Sequence, residues 1–172
     1  MPNILLISGS PTEKSKSTLL LEYASKELTR LGATTTTVSV RDFPAEDLIQ
    51  AKYDSPAFEP FKASVANADA IIITTPIYKA SYTGSLKALL DILPQKALAR
   101  KTIFPLATGG TIAHLLAIEY ALNPVLSVLG AGDILQGVFI VDSQFHYTEE
   151  SFTLDAEIAQ RFDEALKLLS EV

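Results

Sequence analysis

Short apolar runs rich in β-branched residues recur along the chain at Ile4–Ser8, Thr35–Val40, Ala70–Thr75, Thr102–Leu106 and Ile134–Val141, with helix-length segments between them. Leu20, Tyr23, Ala24, Leu28 and Leu31 form one stripe of a helix over Thr18–Leu31, stopped by Gly32. Leu86–Leu93 predicts a second helix, ended by Pro94, and Ala113–Leu129 a third. Leu154–Leu169 closes the chain as a helix with Ile158, Phe162, Leu166 and Leu169 on one face. Asp42–Pro60, interrupted by Pro44, Pro56 and Pro60, reads as a loop with a short helix.

Five buried-looking strands joined by helices predict an α/β domain with a parallel sheet and right-handed crossovers. Sheets of this kind bind ligands beyond the carboxyl ends of their strands. The segments after strands one, three and four therefore become the candidate site.

Strand one runs into Ser8-Gly9-Ser10-Pro11-Thr12-Glu13-Lys14-Ser15-Lys16-Ser17-Thr18 and then a helix. Hydroxyls, a glycine and unpaired N–H groups at a helix N-terminus suit a phosphate monoester, and Lys14 and Lys16 add positive charge. The spacing matches neither Gly-x-x-x-x-Gly-Lys-Ser nor Gly-x-Gly-x-x-Gly. A serine-rich N-cap alone would show the same residues. Strand three ends in Pro76-Ile77-Tyr78-Lys79, where a proline beside an aromatic gives a stiff wall for a planar ring; a strand-to-helix turn covering the core is the plainer alternative. Strand four ends in Thr108-Gly109-Gly110-Thr111, whose glycines permit close backbone approach or merely a tight turn. A phosphate cradle, an aromatic wall and a glycine-lined edge meeting in one pocket describe FMN better than other common ligands. Hydride transfer from a nicotinamide to a flavin needs no protein nucleophile, so no acid, base or nucleophile is assigned. His114 reads as structural, and Lys87 with Asp91 as a surface helix pair.

Composition narrows the classes further. The 172 residues suit a single domain over 1–172, and 48% apolar with 20% charged residues is ordinary for a folded chain. The absence of cysteine excludes thiolate chemistry, disulfides and iron–sulfur clusters, and two histidines leave little for a metal. A net charge of −6 argues against general nucleic-acid binding. No apolar run approaches the roughly 18 residues of a membrane span, and the N-terminus lacks a basic leader, so a cytoplasmic location is expected.

The segment from Ile112 to Leu129 is apolar nearly all round, which predicts burial on several sides and hence self-association. Pro124 cannot donate to Tyr120, so the helix must kink or bulge there; a π-turn and a simple proline kink both satisfy that requirement.

Thr75-Pro-Ile-Tyr-Lys-Ala-Ser-Tyr-Thr-Gly-Ser-Leu-Lys-Ala-Leu-Leu-Asp91, Pro105-Leu-Ala-Thr-Gly-Gly-Thr111 and Ala113-His-Leu-Leu-Ala-Ile-Glu-Tyr-Ala-Leu-Asn-Pro-Val-Leu126 resemble the NAD(P)H-dependent FMN reductases of alkanesulfonate utilisation. The resemblance implies a flavodoxin-like, doubly wound fold with a five-stranded sheet in the order 2-1-3-4-5. It implies FMN taken as a substrate, NADPH or NADH as reductant, and FMNH₂ passed to a flavin-dependent monooxygenase that cleaves sulfonates or sulfones. It further implies dimers and tetramers through the 113–129 helix, with Tyr120 in a π-turn at that interface, modulating flavin binding. By position, Ser10, Ser15, Lys16, Ser17 and Thr18 would hold the phosphate, Pro76, Ile77, Tyr78 and Lys79 one side of the ring, and Thr108, Gly109, Gly110 and Thr111 its other edge. Thr12 departs from the pattern, since family members often carry arginine there; Lys14 is a nearby substitute. A flavodoxin-type electron carrier, an FMN-dependent quinone or azo reductase and a flavin-binding regulatory module are the competing readings.

Tyr120→Ala is expected to alter flavin retention or assembly without unfolding the domain. Flavin titration, turnover and sizing chromatography matching wild type would remove Tyr120 from the functional residues.

Overall fold

The computed structural model describes residues 1–148 and 151–172. Its strands are β1 (Asn3–Ser8), β2 (Thr34–Ser39), β3 (Ala70–Pro76), β4 (Thr102–Gly109), β5 (Asp133–Ile134), β6 (Val138–Val141), β7 (Phe145–Tyr147) and β8 (Phe152–Leu154). The central sheet is parallel throughout and runs β2-β1-β3-β4-β5, with β6 also on β4. That is the flavodoxin-like, doubly wound order. The helices are α1 (Lys16–Arg30), α2 (Ala45–Ile49), α3 (Glu59–Asn67), α4 (Gly84–Asp91), α5 (Asn123–Val128) and α6 (Ala156–Ser170). Among the described residues, no helix is long and apolar enough to cross a membrane.

Strand periodicity divides the core in two. Ile4, Leu6, Ile72, Phe104 and Leu106 point to one face and meet Leu20, Leu28, Phe162 and Leu166 of α1 and α6. Leu5, Ile7, Ile71, Ile73 and Ile103 point to the other and meet Phe61, Val65, Leu86, Leu90 and Leu126 of α3, α4 and α5. Both faces of β1 and β3 are covered, which accounts for their unbroken apolar runs. At the sheet edge, β2 is Thr-rich and partly exposed. Buried Lys101 bridges elements by donating to the carbonyls of Ala66 (3.1 Å) and Ala68 (2.7 Å) at the end of α3. Burial holds its ammonium below the usual lysine pKa.

Four sequence expectations change. The fifth strand is not one run over 134–141: it divides into β5 and β6 around Leu135–Gly137. The register shows the reason. Ile103 pairs with Ile134 but Leu106 with Val138, so the fifth strand carries one extra residue. The Ile103 carbonyl accepts from Leu135 N at 2.8 Å, and two residues on, Pro105 faces the same neighbour with no N–H to offer. A strand beside a proline loses a ladder bond and bulges. Second, Asp42–Pro60 is more ordered than a loop: it contains α2 and a 3₁₀ turn at Pro56–Phe58, and leads into α3, which the sequence reading missed. Third, the β7–β8 hairpin was not foreseen. Fourth, the helix expected over Ala113–Leu129 is not continuous. It consists of a 3₁₀ turn at Ile112–His114, a π-turn at Ile118–Leu122 and α5.

The π-turn absorbs the missing Pro124 donor. Pro124 lies in the first turn of α5, where no intrahelical donor is required, and Asn123 N bonds Ile118 O across the wider loop. Ile118, Leu122 and Leu126 are buried, whereas Ile112, Leu115, Leu116, Tyr120 and Val128 remain exposed.

Phe162 is fully buried and packs its ring against those of Tyr23 and Phe104. Phe162→Ala should lower unfolding stability by about 3–5 kcal/mol in urea titration. Leu168→Ala, on the exposed face of the same helix, should stay within about 0.5 kcal/mol of wild type.

Candidate functional site

Glycine at position 9 brings the first two loops together. A Cβ there would lie 2.9 Å from the Thr74 carbonyl oxygen and 3.0 Å from Leu86 Cβ, so only glycine fits. Gly9 N donates to Thr74 O at 2.7 Å, while Gly9 O accepts from the buried Thr83 hydroxyl. That hydroxyl also caps α4 by accepting from Leu86 N, and Thr83 N donates to Thr75 Oγ1. The threonines thereby fix both ends of the segment 76–82.

Beyond Gly9, Ser10 is buried and its hydroxyl is bonded to Thr12, through the Thr12 carbonyl, N–H and hydroxyl at 3.2–3.3 Å. Ser15 is the N-cap of α1: its Oγ accepts from Thr18 N at 3.1 Å and contacts Thr18 Oγ1 at 3.0 Å. The turn opens the positive end of a 15-residue helix toward the strand termini. Lys16 lies at its mouth, its Nζ 5.4 Å above the Phe145 ring and 2.6 Å from Asp142 Oδ1.

The second loop makes a tight hairpin turn. Tyr78 N donates to Ser81 O and Ser81 N returns to Tyr78 O, while Lys79 and Ala80 take φ of 49° and 68°. Two successive left-handed residues make a type I′ geometry that usually carries Asn or Gly. Holding Lys and Ala there costs on the order of 1 kcal/mol per residue. The turn leaves Tyr78 half-exposed beside Pro76 and Ile77. The third loop joins the second, since Ile77 N donates to Thr108 O at 2.8 Å. Gly109 is required sterically, because a Cβ would come within 2.9 Å of Phe139 Cζ.

The three loops enclose one cleft of about 1030 Å³. Its wall includes Ser10, Ser15, Lys16, Thr18, Pro76, Ile77, Tyr78, Thr108, Gly109 and Gly110 from the sequence assignment, as well as Thr12 and Lys14. Ser17, Lys79, Thr111 and Tyr120 do not line it. Ser17 falls on the inward stripe of α1 with Leu20, Leu21, Ala24 and Leu28, fully buried with its hydroxyl unpartnered. Its first-turn N–H has no carbonyl to bond in its own helix. Lys79 occupies the exposed tip of the hairpin turn, and Thr111 caps the following 3₁₀ turn by accepting from Ala113 N. Tyr120 is 79% exposed and belongs to a separate recess of about 340 Å³ with Ala80, His114 and Leu116.

Arg41, Asp142, Tyr147, Glu13 and Glu22 also line the cleft and were not singled out in the sequence. Arg41 follows β2 and Asp142 follows β6, so both lie beyond the carboxyl ends of strands, as do the loops after β1, β3 and β4. Tyr147 comes from the unforeseen hairpin.

The donor set fits FMN. A helix N-terminus with Ser15, Lys16 and Thr18 suits a phosphate, and a fixed Pro-Ile-Tyr wall opposite paired glycines suits a flat ring.

Residues 2–146 match the NADPH-dependent FMN reductase family. The FMN reductase (NADPH) of Pseudomonas putida strain KT2440 is 50% identical over 163 residues, spanning 95% of this chain and 82% of that protein. The Escherichia coli K12 FMN reductase (NADPH) is 47% identical over 167 residues, spanning 95% and 86%. Among solved structures, an NADH:FMN oxidoreductase in its apo form superposes with a TM-score of 0.88 at 37% identity, covering 99% of this chain and 89% of that one. With the family match covering most of the chain and its relatives aligned nearly throughout, the chain belongs to the NADPH-dependent FMN reductase family and is a flavin-reducing oxidoreductase.

Proposed function

We propose that this reductase takes FMN as a diffusible substrate, reduces it with NADPH or NADH, and gives up FMNH₂ to a separate flavin-dependent monooxygenase that cleaves sulfonates or sulfones. The observation that carries the reading is the convergence of the loops after β1, β3 and β4 on one cleft. In this proposal Ser10, Ser15, Lys16, Thr18 and the first-turn N–H groups of α1, Ser17 included, hold the phosphate. Pro76, Ile77 and Tyr78 flank the ring, and Thr108, Gly109 and Gly110 approach its other edge. FMN supplies the hydride-accepting ring: NAD(P)H, a proton and FMN give NAD(P)⁺ and FMNH₂.

The residues orient rather than react. The backbone of the Pro76–Tyr78 wall is held by the Thr75–Thr83 clasp and by the pairing of Tyr78 with Ser81. A wall fixed before binding reduces the ordering cost of aligning two rings. Relatives named for NADPH and a structural neighbour named for NADH support testing both reductants.

The same reading places a single flavodoxin-like domain in the cytoplasm, assembled as dimers and tetramers through residues 113–129. It is supported by the resemblance over that segment and by the exposed Ile112, Leu115, Leu116 and Tyr120 side chains beside the π-turn.

Anaerobic oxidation of NADPH and NADH should require added FMN, and the FMNH₂ formed should support an added flavin-dependent monooxygenase. Tightly retained FMN without nicotinamide oxidation would instead identify an electron carrier. Lys16→Ala should raise the KM for FMN about tenfold with little change in kcat, as expected for loss of a charge-assisted phosphate contact.

A further inference from the structure

The cleft that would receive a phosphate dianion carries no net charge. Lys14, Lys16 and Arg41 on its wall are matched in number by Glu13, Glu22 and Asp142. Two of the cations already have carboxylate partners: Lys16 is 2.6 Å from Asp142, and Arg41 is 3.9 Å from Glu13. The Lys16–Asp142 pair is the tighter one. It closes across the cleft, from the first turn of α1 to the residue following β6.

We propose that Asp142 competes with the flavin phosphate for Lys16 and thereby sets how readily the flavin leaves. The proposal rests on the phosphate site read above. Asp142 is held in place by its backbone, because Gln144 Oε1 accepts from Val141 N at 2.9 Å and fixes the short turn that begins at Asp142. Its second oxygen, Oδ2, lies 3.8 Å from where a Cβ of Gly110 would be, so the carboxylate reaches from the lysine toward the glycine edge of the cleft. The two side chains differ in exposure: Lys16 is 23% exposed and Asp142 54%. A carboxylate that open can be released to water at little cost, so the pair yields to an incoming phosphate instead of barring it.

Binding is then an exchange of one anionic partner of Lys16 for another. The gain from a new charge-assisted contact is reduced by the contact that is broken and by repulsion between the phosphate and the remaining carboxylate. A reductase that must surrender its flavin benefits from this reduced hold. A flavin without a phosphate has no part in the exchange, which separates this role from a general effect on the cleft.

The test is fluorescence titration of FMN and riboflavin against the full-length wild type, Asp142→Asn and Asp142→Ala at low ionic strength, with FMN dissociation followed by stopped flow. Wild type should prefer FMN over riboflavin. Both variants should bind FMN about three- to tenfold more tightly and release it correspondingly more slowly, with riboflavin affinity within about twofold of wild type. Thermal melting should be unchanged for both, confirming that the fold is intact. Unchanged or weakened FMN binding in both variants would overturn the proposal and make Asp142 a support for Lys16. If wild type did not distinguish FMN from riboflavin, and Lys16→Ala left FMN binding untouched, the phosphate site itself would be wrong and the proposal would fall with it.

Discussion

The site depends on how closely three chain segments approach one another at Gly9. Its N–H is bonded to β3 and its carbonyl to Thr83, while Leu86 of α4 packs where a side chain would stand. Because backbone meets backbone there, the phosphate loop and the Pro76–Tyr78 wall are parts of one rigid body. A substituted Cβ would push the loops apart by tenths of an ångström, and a close-packed junction transmits that shift to both walls of the cleft. The strained turn at Lys79 and Ala80 persists because Thr75, Thr83 and the Tyr78–Ser81 pairing determine its ends.

A second constraint originates in Pro105. Its missing N–H divides the fifth strand, and the resulting bulge passes over the π-turn: a Cβ on Gly137 would lie 2.8 Å from Ile118 Cγ2 and 3.2 Å from the Pro105 carbonyl oxygen. Pro124 acts in a similar way on the helix, removing one donor and widening the turn before it. The two prolines, on successive elements of the chain, produce irregularities that pack against each other. The β6 strand emerging from the bulge ends at Val141, and the residue that follows it, Asp142, is the carboxylate that meets Lys16.

Charge in the cleft is balanced although the chain as a whole is acidic, at −6. A cradle built on a helix N-terminus does not need excess cation to attract phosphate, because unpaired N–H groups and the helix dipole supply part of the field. Cations that are already partnered sharpen the choice of anion and moderate its affinity. Such a balance suits the exchange of flavin proposed above.

The strands β1 and β3 and the loops after β1, β3 and β4 were legible in the chain, because strands buried on both faces read as unbroken apolar runs and helix N-termini carry their own capping residues, whereas the sheet order followed only from the family resemblance. Pro105 could have foretold the divided fifth strand, and the strand-terminus rule could have reached Arg41 and Asp142. The sequence does not show that the Ser17 hydroxyl is buried, because a hydroxyl in a serine-rich stretch looks alike on either side of a helix; the inward stripe shared with Leu20, Leu21 and Leu28 is seen only in the fold. Sequence by itself determined β1 to β4 and the helices α1, α4 and α6, since those depend on neighbours a few residues away. The partners of Lys16, the clasp from Thr83 to Gly9 and the separation of Tyr120 from the cleft were decided only by the tertiary structure, because each depends on contacts between segments whose spacing along the chain carries no periodic signal.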